Sequence, residues 1–268
     1  MKSQRPADTP ITAWADVLSA AETYKRFPEV SPPAVHIYRR TASTQDIARQ
    51  HAGAWSAALA DEQTAGRGRL GRTWVAPPAS AVLMSLAWPG LSNRQPLDAL
   101  TYRVAVAVAK TAERFMDSDA GRVRIKWPND ILVDGRKLAG ILIERDINAA
   151  IIGIGLNVHL TETDTAMLPP ELANRITSLA MHGHDVDRLH VAAELIGQCG
   201  MHLATGDDTG MLDEWRSRSP LGYDARFQCD GETIAGTVID LDPALGLIVR
   251  RDSGEIVHLP AVTTSVLP

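Results

Sequence analysis

Lys126-Trp-Pro-Asn-Asp130-Ile-Leu-Val-Asp134-Gly135-Arg-Lys137-Leu-Ala-Gly140-Ile-Leu-Ile-Glu-Arg145 reads as a β-hairpin. Asp134-Gly135 is the turn signal: two-residue hairpin turns need positive φ, which Gly and Asp adopt more readily than most residues. The aliphatic runs 131–133 and 137–143 are the paired strands. Such a turn pairs Val133 with Arg136 and Leu132 with Lys137. Side chains alternate along a strand, so Asp130, Leu132, Lys137 and Ala139 then share one face, with Asp130 and Lys137 as diagonal neighbours. A lysine in an apolar strand has two readings. One is an edge charge that discourages aggregation; the other is a cation facing a phosphate or a reacting carboxylate. Periodicity leaves both open.

Working outward, 149–158 supplies a third strand and carries Gly153 and Gly155. Glycine inside a strand marks either tight sheet packing or close approach of a ligand. Upstream, Pro96 opens an amphipathic helix with Leu97, Leu100, Val104, Val108, Thr111 and Phe115 on one face. Strands are expected near 35–37, 57–60 and 82–88. A helix over about 44–52 follows a capping box of Ser43 and Asp46. Further helices fit 12–26, 188–204 and 211–217. From Tyr223 the chain turns to short strands punctuated by Gly231, Gly236, Gly246 and Gly254, the texture of a small all-β domain. Strand and helix do not alternate regularly. The expected class is therefore α+β, with a mixed, largely antiparallel sheet and helices, rather than a doubly wound sheet. The expected division is an N-terminal helical extension (1–33), a mixed α+β domain (34–218) and a C-terminal β domain (221–268).

The segment Gln63-Thr-Ala-Gly66-Arg67-Gly68-Arg69-Leu-Gly71-Arg72-Thr-Trp74 carries three arginines among glycines, and no acidic residue lies between Glu62 and Asp98. Glycine permits close backbone approach and arginine offers a planar fork of donors, which suits an anion grip. A solvated surface loop is the alternative. The spacing also matches a dinucleotide fingerprint and nearly a phosphate-binding loop. Both need a helix directly after the glycines, which Pro77-Pro78 block. Without local carboxylates the arginines repel one another, so the loop at 64–73 is expected to be mobile until an anion binds.

With 27 basic and 32 acidic residues the net charge is −5, which argues against nucleic acid as a partner. Two cysteines make no disulfide framework. No apolar run approaches the roughly 18 residues of a membrane helix, and no signal-peptide pattern opens the chain. A cytoplasmic protein without membrane association is expected. His182-Gly-His184 is a loose pair that His190, Cys199 and His202 do not complete to a tetrahedral set, and no metal-binding residues are assigned.

Five stretches taken in order resemble the biotin protein ligases: Ser43-Thr44-Gln45-Asp46, the 63–74 segment, Lys126-Trp-Pro-Asn-Asp130, Lys137-Leu-Ala-Gly-Ile-Leu142 and Gly153-Ile-Gly-Leu-Asn157. The resemblance spans about 35–218, and the chain after 221 is similar to that family's C-terminal SH3-like β-barrel. It implies a class II synthetase-like catalytic domain (34–218) and a two-step, ATP- and Mg²⁺-dependent reaction. Biotin becomes biotinyl-5′-AMP, and biotin then passes to a lysine of a biotin carboxyl carrier protein, of acetyl-CoA carboxylase or a related carboxylase. No enzyme nucleophile is needed; positioning and charge stabilisation suffice. The resemblance places Ser43, Thr44, Gln45, Gln63, Gly66, Arg67, Gly68, Arg69, Arg72, Trp74, Lys137, Gly140, Gly155 and Asn157 around biotin and the adenylate. It makes Lys137, Arg69 and Asp130 catalytic: Lys137 at the acyl phosphate, Arg69 on the adenylate phosphate and Asp130 on the incoming lysine. Arg72 and Trp74 shape the closed loop, and Asn157 lies toward the ATP phosphates or the metal. Gln45 stands where the family often has Asn. Two rival readings are a lipoate or octanoate ligase and a biotin-responsive transcription regulator. The second is disfavoured by an N-terminal stretch of about 34 residues, short of the roughly 60 that a small DNA-binding module needs, and by its balance of four basic and four acidic residues over 1–33.

Overall fold

The computed structural model describes residues 31–90, 97–116, 121–166, 170–205 and 208–267. The helix expected over 12–26 lies outside them, as does Pro96, while the helix expected to follow that proline is present as Asp98–Met116. The first sheet has seven strands in the order β1-β2-β3-β7-β6-β5-β4. They are β1 (Ala34–Thr41), β2 (Ser56–Gln63), β3 (Ala81–Pro89), β4 (Val123–Lys126), β5 (Asp130–Val133), β6 (Arg136–Arg145) and β7 (Ala149–Asn157). The β1–β2 pair is parallel and every other neighbouring pair antiparallel. Parallel neighbours need a crossover, and α1 (Thr44–Gln50) supplies it. This is the expected mixed, largely antiparallel α+β arrangement.

The sheet faces differ in what they bury. On one face Leu59, Met84, Leu86, Ile152 and Ile154 join the core with α2 (Asp98–Met116) and a later helix at Arg188–Ala204. Val104, Ala105, Val108 and Ala112 of α2 are at most 1% exposed, so this face is closed to ligands. Among the described residues α1 is the helix on the other face, through Ala48 packed on Ala58, Ala87 and Ile151. That leaves the adjoining stretch of sheet free to build a site. The short helices α3 (Glu162–Ala166) and α4 (Pro170–Ala173) were not expected from the sequence; α5 (Arg188–Ala204) and α6 (Asp208–Arg218) were. Among the described residues no helix is long and apolar enough to cross a membrane.

The second sheet contains β8 (Asp224–Cys229), β9 (Glu232–Asp242), β10 (Gly246–Arg250), β11 (Ile256–Leu259) and β12 (Thr264–Val266) in the antiparallel order β11-β10-β9-β8-β12. Among the described residues no pairing joins its end strands β11 and β12, and the sheet forms the expected C-terminal β domain. Phe227 meets Trp127 of the first sheet edge-on, with ring centroids 6.2 Å apart. The Arg216 fork grips Asp240 at 2.8 and 2.9 Å.

The hairpin turn has the expected geometry: Asp134 and Gly135 take φ of 50° and 76°, and Leu132 faces Lys137. The register then shifts, with Ile131 opposite Ala139 and Asp130 opposite Gly140. Ala139 therefore does not share the face of Lys137. Leu138 and Ala139 are both fully buried, and a bulge at Leu138 lets two successive apolar residues leave solvent. The stretch 126–130 is itself a second hairpin, Lys126 facing Asp130 across Trp127-Pro128-Asn129, with a cis Trp127–Pro128 bond.

Candidate active site

The open face has a floor of glycine. Gly140 and Gly155 are paired across β6 and β7. A Cβ added to Gly155 would lie 2.4 Å from the Trp74 ring, and one added to Gly140 would lie 2.8 Å from it. The two strand glycines thus let an indole of the chain itself lie directly on backbone, which is the tight packing of the first reading, made here against a side chain. Beside the indole stands Lys137. Its Nζ is 2.6 Å from Asp130 Oδ1 and 5.4 Å from the Trp74 ring centroid. The bulge preserves this pair by bringing Asp130 opposite Gly140, over which the lysine side chain folds.

The other end of the floor is a polar recess. Ser43 caps α1, its Oγ accepting from the Gln45 N–H at 3.3 Å. The reciprocal half of the expected capping box is absent, because the Asp46 carboxylate turns to Arg67 at 2.8 Å. The Thr44 N–H and hydroxyl donate to Gln63 Oε1 at 2.8 and 3.1 Å, and Thr44 Oγ1 is 2.7 Å from Ser85 Oγ. Gln45 lies on Gly153 and donates to Glu144 at 3.2 Å. Its Oε1 is buried with no hydrogen-bond partner, as is the indole N–H of Trp74. Unpaired buried polar atoms are costly and point to a missing partner.

The arginine loop closes on itself. Gly68 N–H donates to Arg72 O at 2.7 Å and Trp74 N–H to Gly66 O at 3.0 Å. A Cβ at Gly66 would lie 2.5 Å from the Trp74 carbonyl, so glycine is needed for this closure rather than for an anion. The expected self-repulsion is also offset. Arg67 is 2.8 Å from Asp46 and 3.6 Å from Glu144, carboxylates supplied by α1 and β6. Arg69 donates to Asn129 Oδ1 at 3.2 Å, to Thr264 O at 2.7 Å and to Ala261 O. Burial draws its guanidinium below the usual value, Asp130 and Asp98 oppose that fall, and Arg72 adds to it. Arg72 is exposed, and the Asn157 amide donates to Thr177 O at 3.0 Å, so neither joins the cluster around Lys137.

Four contributors escaped the sequence reading. Ser85 is the one polar residue in a buried strand, a signal that could have been used. Asn129, Glu144 and Asp98 carry no such mark. The loop geometry predicts the order of tryptic cleavage. Arg67 is ion-paired and Arg69 is hydrogen-bonded, so the first cut should fall after Arg72. Biotin with ATP and Mg²⁺ should slow it more than biotin alone, read by mass spectrometry of timed digests. Initial cleavage after Arg67 would show that its ion pairs do not hold the loop.

The Biotin/lipoate A/B protein ligase family matches residues 37–160. The bifunctional ligase/repressor BirA of Bacillus subtilis is 36% identical over 160 residues, which are 58% of this chain and 47% of that protein. The chain thus spans about half the length of that relative. The biotin--[acetyl-CoA-carboxylase] ligase of Mycobacterium tuberculosis is 30% identical over 226 residues, covering 75% of this chain and 78% of that enzyme. The solved biotin protein ligase from Aquifex aeolicus, in complex with biotin and ATP, superposes with a TM-score of 0.72 at 24% identity, over 87% of this chain and 98% of that one. Glycine floor, polar recess, lysine–aspartate pair and these likenesses agree: the chain belongs to the biotin protein ligases, within the biotin/lipoate A/B protein ligase family.

Proposed function

We propose that this chain joins biotin to ATP as biotinyl-5′-AMP and then transfers biotin to a lysine of a carrier protein, a biotin carboxyl carrier domain of acetyl-CoA carboxylase or a related carboxylase. The observation that carries the reading is the lysine–aspartate pair and indole over the Gly140–Gly155 floor, with a polar recess at its far end. A ureido ring has two N–H donors and a carbonyl acceptor, and the recess offers the Gln45 Oε1 acceptor with the Ser43, Thr44 and Ser85 hydroxyls. The aliphatic tail would run along the edge of the Trp74 indole and deliver its carboxylate to Lys137. In the first step a carboxylate oxygen attacks the α-phosphorus and pyrophosphate leaves, with Lys137 and Arg69 stabilising the phosphate charge. In the second a neutral lysine amine attacks the acyl carbon, AMP leaves, and Asp130 orients that amine. Among the described residues no group of three or more His, Cys, Asp or Glu could hold a metal. No resident metal site is assigned, and Mg²⁺ is read as part of the nucleotide substrate.

Biotin should support pyrophosphate release and labelling of a carrier domain, while lipoate and octanoate should not. Release with lipoate or octanoate but not with biotin would overturn the reading.

A further inference from the structure

Arg67 and Arg69 sit two residues apart and are held in opposite ways. Arg67 is neutralised by carboxylates, whereas the hydrogen bonds of Arg69 go to the neutral oxygens of Asn129, Ala261 and Thr264. An arginine held by neutral oxygens keeps its full charge available to an incoming anion. Two of those oxygens are main-chain carbonyls of the turn that enters β12, in the second sheet. What places that turn is Asp98, at the start of α2. Its carboxylate, 8% exposed, accepts from the Ala261 N–H at 2.6 Å. The turn closes internally through Thr264 N–H on Pro260 O at 3.2 Å. Ala261 is therefore gripped from both sides, its N–H on an anion and its carbonyl on a cation.

We propose that Asp98 is a positioning residue for the adenylation step: it anchors the 260–264 turn so that the Ala261 and Thr264 carbonyls hold Arg69, charged and oriented, at the rim of the Lys137 site. This rests on the function proposed above. Burial raises the Asp98 carboxyl above its usual value, and the Ala261 N–H and the charge of Arg69 oppose that rise. The second sheet then takes part in the reaction without contributing a side chain to it.

The test is biotin-dependent ATP–pyrophosphate exchange by the full chain, with KM for ATP and kcat separated. Asp98→Ala should raise KM for ATP roughly tenfold, with the dissociation constant for biotin unchanged. Asp98→Asn, which keeps an acceptor for the Ala261 N–H, should recover most of the loss. In an Arg69→Ala background, Asp98→Ala should add nothing, because its effect runs through that guanidinium. If the Ala variant does not fold, Asp98→Ser takes its place in the cycle. An undiminished Asp98 effect in the Arg69→Ala background, or single variants that match an active parent, would overturn the inference. If the parent shows no exchange, the proposed function fails instead. The anchoring is then read by trypsin, which should cut after Arg69 sooner in Asp98→Ala than in the parent; equal cutting overturns it.

Discussion

Replacing Lys137 by alanine is expected to lower kcat/KM for biotin-dependent pyrophosphate exchange by about 10²-fold or more, while Lys126→Ala changes it by less than about threefold. The two lysines flank the same motif and differ in surroundings. Lys126 is exposed on β4. The Lys137 side chain is 31% exposed, 2.6 Å from Asp130, and folded over Gly140 beside the indole. Its removal takes away a cation where phosphate charge develops. It also leaves the Asp130 carboxylate without its partner, at a place where an anionic nucleotide must approach. Both changes act in the same direction, so the loss should exceed that of a single hydrogen bond. Equal, mild losses in the two variants would show that the reacting phosphate lies elsewhere.

Gly155→Ala is expected to weaken biotin binding by roughly tenfold to a hundredfold, the scale of overpacking by one methyl group. The new Cβ would sit 2.4 Å from the Trp74 ring, and the ring must move. Trp74 is tied by its own backbone to Gly66, so the displacement is passed to the arginine loop. Gly121→Ala, where an added Cβ meets nothing within 4 Å, is the control and should bind biotin as the parent does. Calorimetric titration of both variants checks this. With Trp74→Ala already in place, Gly155→Ala should cost little more; a full additional loss would mean that the glycine serves the ligand directly.

Periodicity and turn chemistry made much of this fold readable. Asp134-Gly135 announced a hairpin that formed with the expected turn, and the apolar spacing of 188–204 matches α5. Other features were less accessible, for different reasons. The β4 strand alternates in and out along Val123–Lys126, a period-two signal obscured because Lys126 was read only as part of a motif. The bulge at Leu138 depends on how two apolar residues pack against a core assembled from distant elements, which no local pattern records. At the site, the resemblance named Ser43, Thr44, Gln63, Trp74 and Lys137, and they line one face of the sheet. The resemblance did not anticipate that Arg67 would find Asp46 and Glu144, because those partners lie far along the chain. The partners of Arg69 were the least legible: two are carbonyls, which every residue carries and no sequence letter distinguishes.

The carbonyl clamp on Arg69 also has a schedule. Its two main-chain oxygens follow the arginine by 192 and 195 residues. At translation rates of about 5–20 residues per second, the loop leaves the ribosome roughly 10–40 s before the turn that holds it. During that interval the nascent chain can lay down β1 to β7 and seat Trp74 on its glycines, yet Arg69 has nothing to rest on but Asn129. Stalled or prematurely terminated chains would share this condition, folded around the recess but with the guanidinium unclamped. Assembly of the second sheet is therefore the last event in making the site.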